Sequence, residues 1–296
     1  MIDYPAARAV AMVAQTGSFE AAAKALAVTP SAISQRIKQL EDRLGVVLIA
    51  RGTPCTATRK GAALCRHIEQ VGLLEKELAA ELPALELNQD RVTLSVATNA
   101  DSLATWFLKA VAPFGEKSDV LFNIALDDQE HTADWLARGR VVAAVTSFKN
   151  PVPGCRVIPL GKLRYHATAS PAFVKRYFAK GVTAKTLSEA PGLIFNQKDR
   201  LQHRWIRQVL GRAVAFPAHW LPATQSFVDA ALLGMGWGMN PALLIREHLA
   251  TRRLVELAPG AVLDVPLYWQ VSRVAADRLS ALTQNVVTTA RKELLA

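Results

Sequence analysis

Two neighbouring stretches decide how this chain folds: Gly17-Ser18-Phe19-Glu20-Ala21-Ala22-Ala23 and Thr29-Pro30-Ser31-Ala32-Ile33-Ser34-Gln35-Arg36-Ile37-Lys38-Gln39-Leu40-Glu41. Ser18 is a good N-cap, and Phe19, Ala22, Ala23 and Leu26 recur on one face of a short helix. Alanines on that face let a second helix approach closely. After the break at Ala27-Val28, Thr29 caps a further helix. Pro30 takes its first position, where a missing N–H costs nothing. Ile33, Ile37, Leu40 and Leu44 then share one face at 100° per residue. Ser31, Ser34, Gln35 and Lys38 take the opposite face, with Arg36 and Gln39 on the flank. Upstream, Tyr4, Ala7, Val10 and Val13 predict an earlier helix that Gly17 stops.

Two short helices, a tight turn and a helix with an open polar face predict a helix-turn-helix. Its side chains suit DNA. Gln pairs with adenine N6/N7, Arg with guanine O6/N7, and Ser and Lys bind phosphate or base edges. The alternative from periodicity alone is a solvated helix in an αα-hairpin. Downstream, Gly45 ends the helix, Val46-Val47-Leu48-Ile49 reads as a strand, Pro54 as a turn and Cys55-Thr56-Ala57 as a return strand. Such a wing carries Arg51 to a phosphate. Thr58 caps the next helix. Arg59 and Lys60 in its first turn oppose the helix dipole, which DNA phosphate would explain.

The ordered run from Gly17 through Glu41 to Leu44-Gly45 resembles the winged helix-turn-helix of LysR-type transcription regulators. The resemblance implies that the helix from Pro30 enters the major groove and the wing flanks the minor groove. It implies groove or backbone contacts for Pro30, Ser31, Ser34, Gln35 and Arg36, beside Lys38, and a wing contact for Arg51.

From Arg59 to about Leu87 the pattern is one helix. Leu64, Val71, Leu78 and Leu85 repeat every seven residues with Ile68 and Leu82 in support, which predicts a coiled-coil seam to a second subunit. Glu69, Glu75, Glu77 and Glu81 are expected on its solvated side, and Pro83 ends or kinks it. Dimers suit helix-turn-helix readers of paired half-sites. The family resemblance implies a homodimer or homotetramer.

Beyond Asp90 the pattern changes to strand 92–98, helix from Asp101 or Ser102 to about Val111, strand 121–126, helix 132–138 and strand 141–145. That order implies a parallel sheet. A second set follows: strand 192–196, helix 201–210, strand near Trp220, helix 225–233 and strand near Trp237. The apolar run Val265 to Val271 can cross back to the first lobe, and a last helix runs from about Ala276 to Leu294.

The predicted chain is thus α/β. A winged helix-turn-helix spans 1–58 and a linker or dimerisation helix 59–88. A two-lobed effector domain of periplasmic-binding-protein type spans 91–296, with lobe I about 91–161 and 268–296 and lobe II about 162–267.

Ligands in such folds bind at strand carboxyl ends beside helix N-termini. Asn99-Ala100-Asp101-Ser102 is the sharpest candidate: free N–H groups suit a carboxylate, and Asp101 holds a cation beside it. Asp127 and Asp128 end the second strand and suit a distal ammonium or guanidinium. Thr146-Ser147, Phe195-Asn196 and Thr224-Gln225-Ser226 complete the set. Each, taken singly, also reads as a cap or turn former. Asn99 to Trp106, the helix 34–41, Arg138-Gly139 before Val141-Val142, and Leu267-Tyr268-Trp269 are similar to the ArgP/LysG branch of the family. That resemblance implies lysine or arginine as effector and an exporter gene for basic amino acids as target.

Bulk properties agree. The net charge is +10 and 51% of residues are hydrophobic, so a core can form and a polyanion is attracted. Residues 1–66 hold nine Lys/Arg against four Asp/Glu, and residues 67–90 one Lys against six acids. The basic head and acidic linker have different jobs. Cys55, Cys65 and Cys155 match no metal spacing and read as reduced thiols. Six scattered histidines, with no H-E-x-x-H, G-x-S-x-G or Walker loop, argue against an enzyme. Gly234 to Gly238 lacks the Rossmann spacing and reads as a turn. No catalytic residue, metal or cofactor is expected. Asp3 and Arg8 without a long apolar run argue against a signal peptide and for the cytoplasm. No apolar stretch approaches membrane-span length, so no membrane partner is expected. The expected partners are double-stranded operator DNA, a small-molecule effector and RNA polymerase. Two alternatives stay open: an origin- or AT-rich-DNA-binding replication or nucleoid protein without effector response, and a LysR-type regulator sensing another small carboxylate.

Overall fold

A computed structural model of the chain describes residues 2–81, 92–127, 135–136 and 140–296. The head opens with helices α1 (Tyr4–Thr16), α2 (Phe19–Ala25) and α3 (Pro30–Leu44). Their ends are fixed by the residues that the sequence marks. Ser18 Oγ accepts from the Ala21 N–H at 3.0 Å, and Thr29 Oγ1 accepts from the Ala32 N–H at 3.2 Å. Gly17 and Gly45 end α1 and α3 in the left-handed region, which glycine enters without cost. Ala6, Val10, Val13, Ala22, Ala23, Ile33, Ile37 and Leu40 form the buried core of the head. Leu44 departs from the expected stripe. It lies in the last turn of α3 and is 51% exposed, past the reach of α1 and α2.

The wing is smaller than expected: strands β1 (Ile49–Ala50) and β2 (Thr56–Ala57) pair antiparallel. Side chains outside it compensate for so short a ladder. Glu41 Oε1 accepts from the N–H groups of Leu48 at 2.6 Å and Ile49 at 3.1 Å, tying the wing to α3. Thr58 donates to the Val47 carbonyl at 2.7 Å and accepts from the Gly61 N–H.

Helix α4 (Arg59–Glu81) leaves the wing. The sequence predicts a seam to a second subunit here, and the helix also packs within its own chain. Leu64 joins the core of the head, and Arg8 of α1 meets Glu75 at 2.6 Å. Further along, Glu69 Oε1 accepts from the hydroxyl of Ser95 at 3.1 Å, and Gly72 lies against Val92. Glu69 and Glu75 are therefore paired rather than on a solvated face. Leu74 and Leu78 are exposed. Leu82, Pro83 and Leu85 of the expected seam lie outside the described residues.

The C-terminal part is organised by a seven-stranded sheet. Strands β3 (Thr93–Asn99), β4 (Leu121–Asp127) and β5 (Ala143–Thr146) are parallel, with β3 central, as the strand–helix alternation predicts. The helix between β3 and β4 runs through 100–118, with a π turn at Leu103–Phe107. The expected helix 132–138 is described only at 135–136. Two long strands, β6 (Cys155–Ala169) and β11 (Val262–Ser272), pair antiparallel and run on past β5. Their register shifts between Leu267 and Tyr268. Beyond that point β9 (Gly238–Pro241) and β10 (Val255–Glu256) join β6, while β7 (Gly192–Ile194) and β8 (Ala218–Trp220) pair separately. Trp106, Tyr165, Trp205, Trp237 and Trp269 are fully buried in the core that joins these elements. Large aromatics dominate such cores because each removes much apolar surface from water.

Candidate functional site

Two surfaces carry the candidate chemistry. The first is the open face of α3. Pro30, Ser31, Gln35 and Lys38 are exposed, while Ser34 and Arg36 are half-buried. The amphipathic pattern thus places Ser31, Gln35 and Lys38 on the outer side of a helix held by Ile33, Ile37 and Leu40. Arg51 is exposed on the wing, its guanidinium 5.5 Å from the centroid of the Phe19 ring. Stacking there leaves the planar fork pre-organised. Arg59 and Lys60 are exposed at the start of α4. Glu41, read at first only as part of a pattern, orients the wing against this helix.

The second is a cavity of about 80 Å³ that opens to solvent. Asn99, Ala100 and Asp101 line it from the end of β3. Phe195, Lys198, Asp199, Arg200, Leu201, Gln202 and Arg204 line it from β7 and helix Leu201–Leu210. Thr224 and Phe227 of helix Thr224–Leu232, and Met239 and Pro241 of β9, close it. Asp101 is held from both ends of its carboxylate. Tyr165 donates to Oδ2 at 2.6 Å and Thr224 to Oδ1 at 2.7 Å. Burial pushes this carboxyl above the usual range; the hydroxyls of Tyr165 and Thr224 hold it down, and the charge of Asp199 pushes it up again. Lys198, Arg200 and Arg204 are exposed cations around the mouth.

The expected effector residues divide. Asn99, Ala100, Asp101 and Thr224 come together in this cavity. Ser102 is buried behind it, and its N–H is not free: Asn99 Oδ1 accepts from it at 2.7 Å. Thr146 is buried, donates to the Phe148 carbonyl at 3.4 Å and accepts from Gln270 at 3.3 Å, a packing role. Ser147 follows it at the end of β5 and is half-buried. Asn196 accepts from the N–H groups of Lys198 and Asp199, so its oxygen shapes a turn. Asp127 ends β4, and Asp128 lies outside the described residues. The oxygen of Asn196 thus shapes a turn, and the hydroxyl of Thr146 is engaged with Phe148 and Gln270.

Sequence reasoning missed Tyr165, Asp199 and Gln202. Tyr165 sits in β6, a strand not recognised. Asp199 accepts from the N–H groups of Phe195 and Leu201, closing the turn before helix Leu201–Leu210. Among the described residues no group of three or more His, Cys, Asp and Glu could hold a metal. Cys55, Cys65 and Cys155 are free thiols, and burial pushes Cys65 up to about 12. No described helix is long and apolar enough to cross a membrane.

Comparison with known proteins covers both parts of the chain. Residues 6–62 match the model of the bacterial regulatory helix-turn-helix protein, lysR family, and residues 87–294 match the LysR substrate binding domain. The chain is 44% identical over 285 residues to the HTH-type transcriptional regulator LysG of Mycobacterium bovis, covering 96% of this chain and 92% of that one. The crystal structure of ArgP from Mycobacterium tuberculosis is 42% identical, with a TM-score of 0.80 over 100% of both chains. Full-length LysG from Corynebacterium glutamicum with bound effector Arg is 33% identical, with a TM-score of 0.69, again over 100% of both chains.

Proposed function

This chain belongs to the LysR family of bacterial regulators, and from that premise we propose that it responds to lysine or arginine and activates an exporter gene for basic amino acids. It is a DNA-binding transcription regulator of the LysG/ArgP branch, not an enzyme. The observation that carries the effector reading is Asp101, a half-buried carboxylate held by Tyr165 and Thr224 in a cavity that is partly lined by apolar side chains. A carboxylate removed from water gains most from a ligand that brings its own positive charge. Phe195, Leu201, Phe227 and Met239 suit the methylenes of a long side chain. Lys198, Arg200 and Arg204 suit the carboxylate of the same ligand. That the relative from Corynebacterium glutamicum holds arginine supports the same ligand class here.

In this reading Ser31, Ser34, Gln35, Arg36 and Lys38 meet the major groove, with Pro30 and Arg51 near the backbone. Asn99, Ala100, Asp101 and Thr224 meet the effector. The protein works in the cytoplasm as a homodimer or homotetramer, and it contacts RNA polymerase at its promoter. The effector acts by binding two arrangements of the lobes with different affinity.

Titration calorimetry with lysine, arginine and a neutral amino acid tests the effector reading. Heat is expected with a basic amino acid and not with the neutral one. Because burial raises Asp101, a cation that needs the carboxylate competes with a proton for it. Affinity is expected to rise with pH, with proton release shown by buffers of different ionisation enthalpy. No heat with either basic amino acid would contradict the ligand and leave the DNA-binding function standing.

A further inference from the structure

The cavity contains two buried amides that are wired in opposite senses. Asn99 is 2% exposed. Its Oδ1 accepts from the Ser102 N–H at 2.7 Å, which fixes the side chain, and its Nδ2 has no partner among the described residues. Gln202 is fully buried. Its Nε2 donates to the Leu193 carbonyl at 2.7 Å, and its Oε1 has no partner among the described residues. A backbone carbonyl can only accept, so this bond settles which end of the Gln202 amide is oxygen. A backbone N–H settles Asn99 in the same way. Both residues line the cavity, Asn99 at the end of β3 with an unpaired donor and Gln202 in helix Leu201–Leu210 with an unpaired acceptor, each shut off from water.

A buried polar atom without a partner is costly, and such atoms in a ligand cavity mark where the ligand's own polar groups go. An amino acid carries the complementary pair. Its carboxylate only accepts and its ammonium or guanidinium only donates.

We infer that Gln202 is a specificity-determining residue of this cavity: its Oε1 accepts from the effector's cationic nitrogen that Asp101 neutralises, while Asn99 Nδ2 donates to the effector's carboxylate. This rests on the basic amino acid reading of the same cavity and adds what recognises each end. Asp101 supplies charge, and Gln202 supplies direction from the other lobe. A ligand held by both must bridge elements on either side of the crossing strands, which couples binding to their relative position. An apolar isostere of the effector would leave the Gln202 oxygen unpaired, and the cavity rejects it on that account.

Two substitutions in the full chain separate recognition from packing. Gln202→Met removes both the acceptor and the bond to Leu193. Gln202→Glu keeps an acceptor oxygen, whether ionised or protonated. Calorimetry with L-arginine is expected to show about tenfold weaker binding by Q202M, the loss of one charge-assisted hydrogen bond. Q202E should stay within about threefold of the unaltered protein, a shift smaller than one such bond. Both should bind the operator unchanged. If Q202E loses affinity as far as Q202M does, in step with a shared fall in melting temperature, Gln202 only supports Leu193 and the inference is overturned. If the unaltered protein gives no heat with L-arginine or L-lysine, the effector reading falls and this inference with it.

Discussion

At the scale of single residues, the same pattern that hides Ile33, Ile37 and Leu40 displays Gln35 and Lys38. Gln35 projects from the middle of α3, where the position of a base reader is least able to drift. Gln35→Ala is expected to relax operator preference at one base pair by about 1–3 kcal/mol. Competition binding against single-base operator variants checks this; an unchanged preference profile would remove Gln35 from the reading face. Which residues face outward was legible because one helix face suffices to establish it. The ligand residues were only half legible. Asn99 and Asp101 follow a strand and open a helix, a local signal. Tyr165 reaches Asp101 from 64 positions away and Gln202 lines the cavity from a helix of the later part, and nothing in their neighbours in sequence marks them. Asn196 and Thr224 looked alike in sequence, yet one shapes a turn and the other grips Asp101.

At the scale of elements, helix Leu201–Leu210 has the bounds that its apolar period predicts. Strand β6 was invisible for a physical reason. Pro159 and Gly161 interrupt it, and Lys162, Arg164 and His166 alternate with buried Leu163, Tyr165 and Ala167. The strand reads as a polar loop unless the period of two is followed through the charges. Helix α4 taught the opposite lesson. Its heptad pattern is real, but Leu64 is committed to the head. Among the described positions of the repeat, Leu78 at 43% exposure is open to a partner helix. Leu78→Asp is therefore expected to weaken self-association by at least tenfold while leaving the far-ultraviolet circular dichroism intact, since a buried charge in an apolar seam lacks a partner. Sedimentation velocity across a concentration series measures it. An unchanged dimer would place the interface elsewhere.

At the scale of the whole molecule, the head and the effector domain meet through α4 and β3. Ser95 donates to Glu69 Oε1, Asn123 approaches the Ser95 hydroxyl at 3.5 Å, and Gln15 of α1 donates to Thr93 at 2.7 Å. Burial pushes Glu69 up to about 7, against the hydrogen bond from Ser95 and the charge of Arg66, which pull it down. The sign follows directly. The folded state holds a proton that the unfolded chain releases near 4.5, so stability falls as pH rises from there toward 7. The upper bound is roughly 3.5 kcal/mol at about 1.4 kcal/mol per pH unit. Thermal melts between pH 5 and 8 should show this slope, and Glu69→Gln should flatten it. An identical slope in the variant would mean that another group titrates. None of this contact was legible in sequence, because Glu69 looks like any other acid on the solvated side of a helix.

The central claim is that a small molecule at Asp101 governs how the α3 face sits on DNA. Footprinting on the operator, with and without L-arginine, tests it most directly when the unaltered protein is compared with Asp101→Ala. Arginine is expected to change the protected region of the unaltered protein and to leave that of the variant as it was, with both proteins bound. The same arginine-dependent change in both, or no change in either, would contradict the account.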